Sequence, residues 1–395
     1  MLTSVATLPQ TAPATASRPA TRLPWYCFAV VLGAACIPIG ALWDISWHST
    51  IGRDSFWNPA HIVIYLGGVV PGLSCGWLVL KTSFWGTEEE RARSVRFWGF
   101  YGPLGAWITI WGALAMIFSA PFDNWWHDAY GLDVEILSPP HTVLALGMYA
   151  VAVGALIQVL SWQNRTVAAA QKMGGLLFIF TAGVLLTMAT IIVTEKSYPN
   201  QQHTALFYKI CSFIFPIYLA MVSRAAKTRW AATGAAATYT AIMLFMVWVL
   251  PLFSAHPKLA PIYNPVDHMV PPPFPLLIIL PALAIDFIVS RMGPRRSFAA
   301  DWGVALLVAA AFLALFLPAQ WFFSEFLLTS GADNWVFAGK NHWPYFAKIT
   351  DWRTKFWDLD RDPVTVWAVG IAFVMAVIKS RLGLALGTWM GKVQR

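Results

Sequence analysis

Ten apolar stretches mark the chain, at about residues 25–43, 57–80, 98–120, 138–161, 173–193, 205–223, 230–253, 272–290, 302–324 and 363–380, with shorter polar segments between them. Each comes near the ~17–25 residues that a helix needs to cross a hydrocarbon core of ~30 Å. The pattern predicts an all-α fold: a polytopic transmembrane helical bundle of about ten spans. An even number of spans puts both termini on one side.

Composition agrees with a bilayer as solvent, because 58% apolar residues against 12% charged cannot clothe a water-soluble globule of 395 residues. The 22 Trp are numerous, and several stand at the ends of apolar runs, where an amphipathic indole favours the headgroup level. Residues 1–24, rich in Thr, Ala and Pro, lack the apolar core of a cleavable signal and predict a disordered tail. Cys27, Cys36, Cys75 and Cys211 fall in or beside apolar spans without CxxC spacing and predict packed thiols rather than a disulfide framework.

Lys and Arg orient the bundle, since short loops rich in them stay cytoplasmic. The N-terminal tail, alternate loops and the C-terminal segment from Lys379 hold 18 cations, and the opposite side holds eight, five of them between residues 340 and 361. Both termini are predicted cytoplasmic. The net charge of +8 therefore reflects topology, and no basic face with stacking aromatics suggests nucleic acid.

All eight histidines fall in or near the opposite, non-cytoplasmic segments. Four of them belong to a repeat. The first copy runs Asp44-Ile-Ser-Trp47-His48, continues through Gly52, Arg53 and Asp54, and ends Asn58-Pro59-Ala-His61. The second runs Asp123-Asn-Trp-Trp126-His127, continues through Gly131 and Asp133, and ends Ser138-Pro139-Pro140-His141. Asp and His four apart on a helix share a face, and a proline suits the first turn of the helix that brings the second His. Two imidazoles and a carboxylate make a three-ligand metal site with open positions, suited to Cu, Zn or non-haem Fe. An Asp–His pair at a helix end can also be a simple hydrogen-bonded cap; duplication at equivalent places favours the metal. Arg53, Asp54 and Asp133 are candidates to orient these ligands or relay protons, and a surface salt bridge or turn serves equally well for each.

The segment from Trp47 through His48, Thr50, Arg53, Asp54, Phe56 and Pro59 to His61 and Ile62 resembles the signature of the C-type chain of the copper membrane monooxygenases, the particulate methane and ammonia enzymes. The resemblance covers residues 25–161, leaving residues 162–395 as additional helices. It implies one copper site at Asp44, His48 and His61 and a second at Asp123, His127 and His141, where Asp123 replaces an Asn. Copper is then expected ahead of zinc or non-haem iron, in a monooxygenase-like protein that activates dioxygen to hydroxylate a small apolar substrate. A bacterial-type inner membrane, sites on its periplasmic face, and A- and B-type monooxygenase subunits as partners follow from the same likeness, with a homo-oligomer also open. The rival classes are metal transport or delivery and a non-catalytic scaffold; the first predicts ligands continuing through mid-span, which the sequence does not show.

Elsewhere, the stretch from His256 to Met269 predicts a Pro-stiffened loop packed over the bundle ahead of a third metal site. Residues 325–362 predict an amphipathic lid on the membrane surface. His203 and His342 read as ordinary interfacial residues, and Asp286 as a partner of Arg291 ahead of a group on a proton path.

Overall fold

A computed structural model describes residues 23–53, 55–131, 138–165, 168–275, 277–292, 297–339, 341–347 and 362–394, with the side chains of His127 and residues 168–171 outside the description. Residues 1–22 of the predicted tail, Asp54, Asp133 and most of the predicted lid's second half lie outside it. The chain is an all-α polytopic bundle: α1 (Trp25–Thr50), α2 (Pro59–Trp85), the short α3 (Glu88–Ala92), α4 (Leu104–Tyr130), α5 (Pro139–Arg165), α6 (Ala168–Thr194), α7 (Ala205–Ala225), α8 (Ala231–Val249), α9 (Ile279–Arg291), α10 (Phe298–Leu327) and α11 (Val366–Met390). Among the described residues nine helices are long and apolar enough to cross a membrane. Large apolar side chains such as Leu32, Leu73 and Ile192 are exposed along these helices, and Trp25, Trp57, Trp85 and Trp367 are exposed at or beside their ends. That is the distribution of a lipid-facing surface with aromatic belts.

Two boundaries differ from the hydropathy pattern. The third apolar run begins as a β-hairpin, β1 (Val95–Phe97) with β2 (Phe100–Gly102), because Trp98 and Gly99 both take positive φ, +48° and +87°, the turn that suits a two-residue hairpin. The eighth run, 272–290, is helical only from Ile279. Pro271, Pro272, Pro273 and Pro275 remove backbone donors and resist helix, so residues 270–275 run as buried non-helical chain into a half-length helix.

The carbonyls and amides left by that break find side-chain partners, as buried backbone requires. Tyr239 Oη donates to Pro275 O at 2.8 Å, His342 Nδ1 lies 3.1 Å from Pro271 O, and Gln320 Oε1 accepts from Leu277 N–H at 3.2 Å. His342 is therefore a buried structural group rather than an interfacial one. His203 is buried as well, with its ring edge-on to Trp321 at 4.4 Å, and burial pushes its pKa down to about 4. Asp286 does not face Arg291 alone on a helix surface; it is buried, and its carboxylate accepts from Ala232 N–H, Thr233 N–H and Thr233 Oγ1 at 2.8–3.2 Å. It thereby caps the N-terminus of α8 from α9, where an anion also meets the positive end of the helix dipole.

Close helix pairs position the histidine-bearing ends. α1 packs along α2, and α4 along α5. A Cβ on Gly40 would stand 2.9 Å from both Ala60 O and Ile64 N; one on Gly112 would meet Gly147 O at 2.7 Å, and one on Gly147 would meet Gly112 O at 2.8 Å. Only backbone fits there, which is how helices in lipid approach most closely. Gly40→Val is expected to push α1 off α2, one turn before Asp44, costing about 1–3 kcal/mol of stability and separating Asp44 from His61. A thermal-unfolding series with Gly76→Val, whose Cβ would meet nothing within 4 Å, as the control checks this.

The second half of the chain closes over the end of α1. Tyr345 N–H donates to Ser49 O at 3.0 Å, Lys258 N–H to Ile51 O at 2.9 Å, and Val270 N–H to Thr50 Oγ1 at 2.8 Å. Carbonyls at a helix C-terminus lack partners within the helix, and the first two of these bonds supply them. The His256–Met269 loop thus packs over the bundle as expected. The described part of the 325–362 segment is mixed: Trp335, Val336 and Phe346 are exposed, whereas Trp343 is buried and stacks on Tyr198 at 5.3 Å.

Candidate metal centre

Asp44 and His48 occupy the last turns of α1, and His48 Nε2 lies 3.9 Å from Asp44 Oδ2. Opposite them, Asn58 caps α2 and Pro59 opens it. Asn58 Oδ1 accepts from the backbone N–H of His61 at 2.7 Å, the usual work of an N-cap side chain. The cap places His61 on the first turn, with Nε2 at 3.2 Å from Asp44 Oδ1. Asn58 Nδ2 reaches the same carboxylate oxygen at 3.5 Å. One residue thus fixes both the helix that carries His61 and the carboxylate that His61 faces.

The second hairpin repeats the plan. Ser138 precedes Pro139 as Asn58 precedes Pro59, and Ser138 Oγ accepts from His141 N–H at 3.4 Å. His141 Nε2 lies 3.4 Å from Asp123 Oδ1. His127, four residues beyond Asp123 on α4, has its backbone in the same helix. Neighbouring Asn124 Nδ2 donates to Asp128 Oδ2 at 3.4 Å.

Each cluster sits in aromatic surroundings. His61 lies beside Tyr65, with ring centroids 6.1 Å apart, and Tyr65 Oη donates to Phe56 O at 2.9 Å. In the second hairpin Trp126 packs on Tyr130 at 4.4 Å, with Phe122 and Trp125 close by. Several of these rings are exposed, Phe56, Trp125 and Tyr130 among them. Access remains, because 46% of the His48 side chain is exposed. Arg53 is exposed, and its contribution is a carbonyl that accepts from Trp47 Nε1 at 3.0 Å; its guanidinium makes no ion pair with a described carboxylate.

As the side chains stand, each cluster is a carboxylate paired with imidazole, and among the described residues no group of three or more His, Cys, Asp or Glu is placed to hold a metal ion. The donors suit one in kind, a carboxylate with imidazoles. Two donors each ~2.1 Å from one tetrahedral ion stand about 3.4 Å apart. The separations of 3.2 and 3.4 Å are equally those of imidazole–carboxylate hydrogen bonds, and His48, at 3.9 Å, faces the other oxygen of Asp44.

Sequence reasoning missed two kinds of residue. Asn58 carries no role in the repeat as read from sequence, although Asn before Pro at a helix start is itself a cap signal. Gln202, Gln320 and Tyr239, scattered over three segments, carry no local pattern that would join them to the broken helix. His268 and Asp267, adjacent in sequence, pair with each other at 2.8 Å, which holds the Asp267 carboxyl below its ordinary range. No family model matches the chain, and no curated protein or solved structure matches it either, so the likeness to the copper monooxygenases rests on the motif residues themselves.

Proposed function

We propose that the two hairpin clusters bind a transition metal, copper ahead of zinc or non-haem iron, and that the chain is a monooxygenase-like membrane protein that oxidises a small apolar substrate. The observation that carries this reading is the duplicated contact, Asp44 to His61 at 3.2 Å and Asp123 to His141 at 3.4 Å, built by the same cap-proline-histidine start in α2 and α5. Partly exposed carboxylate–imidazole pairs of one design, at matching ends of two hairpins, have little use as structural braces, since exposed ion pairs add only ~0–1 kcal/mol each.

In this reading His48 and His61 offer their Nε2 atoms as donors, Asp44 supplies the anionic donor, and Asn58 orients that carboxylate. Asp123, His127 and His141 do the same in the second hairpin. Bound copper supplies the activation of dioxygen. One oxygen atom enters a C–H bond and the other leaves as water, with two electrons and two protons from an external reductant. An apolar substrate arrives from the lipid beside the exposed helix faces. The sites lie on the periplasmic face of a bacterial-type inner membrane, and A- and B-type subunits complete the enzyme. A transport or delivery role draws on one observation, the unwound chain before α9, a feature that transporters use at their ion sites.

Copper-loaded protein in nanodiscs tests the proposal by electron paramagnetic resonance. Nitrogen superhyperfine structure from imidazole is expected in the wild type and should be lost in the paired variants His48→Ala/His61→Ala and His127→Ala/His141→Ala together. Incorporation of labelled dioxygen into a small alkene by membranes containing the complex then tests turnover. A copper signal without nitrogen coupling would mean that the histidines are not the ligands.

A further inference from the structure

The break before α9 borders a cavity. Non-helical backbone at membrane depth is tolerated where protein buries it or where it lines a cavity, and interrupted helices are a common place for membrane proteins to build binding sites. Here both conditions meet. Pro273 and Phe274 of the unwound chain form part of the wall of a space of about 190 Å³, built otherwise from α8, α10 and the segments beside α7 and after α10. None of the residues of the two hairpin clusters belongs to it.

Its walls are aromatic on several sides: Phe274, Phe323, Phe337 and Trp248. Phe323 and Phe337 meet edge to face at 6.2 Å, a favourable aromatic pair, so the two form one continuous aromatic wall. Cavities of roughly 150 Å³ with aliphatic and aromatic walls stay dry and take up molecules of benzene size. No charged side chain lines this one among the described residues. The histidine in its wall, His342, is buried and held against Pro271 O, and burial depresses its pKa, so it offers an uncharged ring.

Polar side chains in its wall are few: Ser197, Gln202 and His342. Gln202 is buried, donates one amide hydrogen to Ser197 O and accepts from Gln320 Nε2 at 2.6 Å. Its amide retains a second hydrogen, which is the kind of fixed polar point that orients a ligand in an otherwise apolar pocket. On the outer side, Trp248 Nε1 donates to Val336 O at 3.1 Å and its ring stacks on Trp335 at 5.5 Å. Trp335 and Val336 are exposed, and Val336 also lines the space, so the space is partly open beside this contact.

We propose that this cavity is a binding site for a small uncharged aromatic molecule carrying one hydrogen-bonding group, of about the size of phenol, held by the Phe274, Phe323 and Phe337 rings and oriented by Gln202. The site is independent of the metal clusters.

Full-length protein in detergent, titrated with phenol by calorimetry and saturation-transfer NMR, tests it. One saturable site is expected, with benzoate, of similar size but charged, binding at least about tenfold more weakly, in line with the cost of burying an unpaired charge. Val247→Phe and Leu244→Phe, which extend side chains of the cavity wall into the space, should each weaken phenol about tenfold or more, the effect of overpacking by 1–3 kcal/mol. Leu244 is only half-buried, so its variant decides the matter where Val247→Phe does not fold. His48→Ala/His61→Ala should bind phenol as the wild type does. The proposal is overturned by a wild type without saturable phenol binding, by benzoate binding as tightly, or by cavity-filling variants that bind unchanged.

Discussion

Asp44→Ala is expected to lower copper affinity at the first hairpin by more than about 100-fold. Groups that merely orient a metal ligand are worth roughly 10–100-fold, and Asp44 is the carboxylate that both imidazoles face, at 3.2 and 3.9 Å. It supplies the charge that makes the donor set anionic. The substitution should leave the fold intact, because Asp44 keeps 23% of its side chain exposed and the cap that positions His61 belongs to Asn58. Competition against a chelator of known affinity measures the change. Asn58→Ala should weaken binding less, within the range typical of an orienting group, since it removes the contact to Asp44 and the cap but no donor. Equal affinities in wild type and Asp44→Ala would show that the carboxylate plays no part in metal binding.

Asp286→Ala is expected to be the most destabilising of the substitutions considered, at about 2–4 kcal/mol, because it strips the partner from three donors at the buried start of α8 and each unsatisfied group costs ~1–3 kcal/mol. The loss should appear in unfolding by sodium dodecyl sulfate, with metal content per folded molecule unchanged. Asp286→Asn keeps an acceptor for one donor while turning its amide toward the others, so it should fall between the wild type and Ala. A cost under about 0.5 kcal/mol, ordinary for a surface change, would mean that α8 does not depend on this cap.

The sequence made the hairpins legible for a local reason. Asp and His four apart, with proline before the next histidine, are instructions that one or two helical turns can execute. The structure puts His61 and His141 on the first turns of α2 and α5 accordingly. Their distance from the carboxylates was not legible, because it depends on how closely α1 meets α2 and α4 meets α5. That approach is set by Gly40, Gly112 and Gly147 meeting backbone of another helix.

The helical spans were visible as long apolar runs, and the failures came where a short signal overrode hydropathy. Trp98-Gly99 turned the start of one run into a hairpin, and four prolines unwound the start of another. Asp286 and His342 were misread for a common reason. Each satisfies backbone groups far away in sequence, Asp286 at the start of α8 and His342 at Pro271, and such partners leave no spacing to detect.

Whether the hairpins hold metal at all is decided by metal content per protein, measured by mass spectrometry after copper loading and removal of excess from the purified chain in nanodiscs. About two copper ions are expected in the wild type, one in each of His48→Ala/His61→Ala and His127→Ala/His141→Ala, and none above background when the pairs are combined. Wild-type copper at background, or copper that survives the loss of all four histidines, would mean that these clusters are not metal sites.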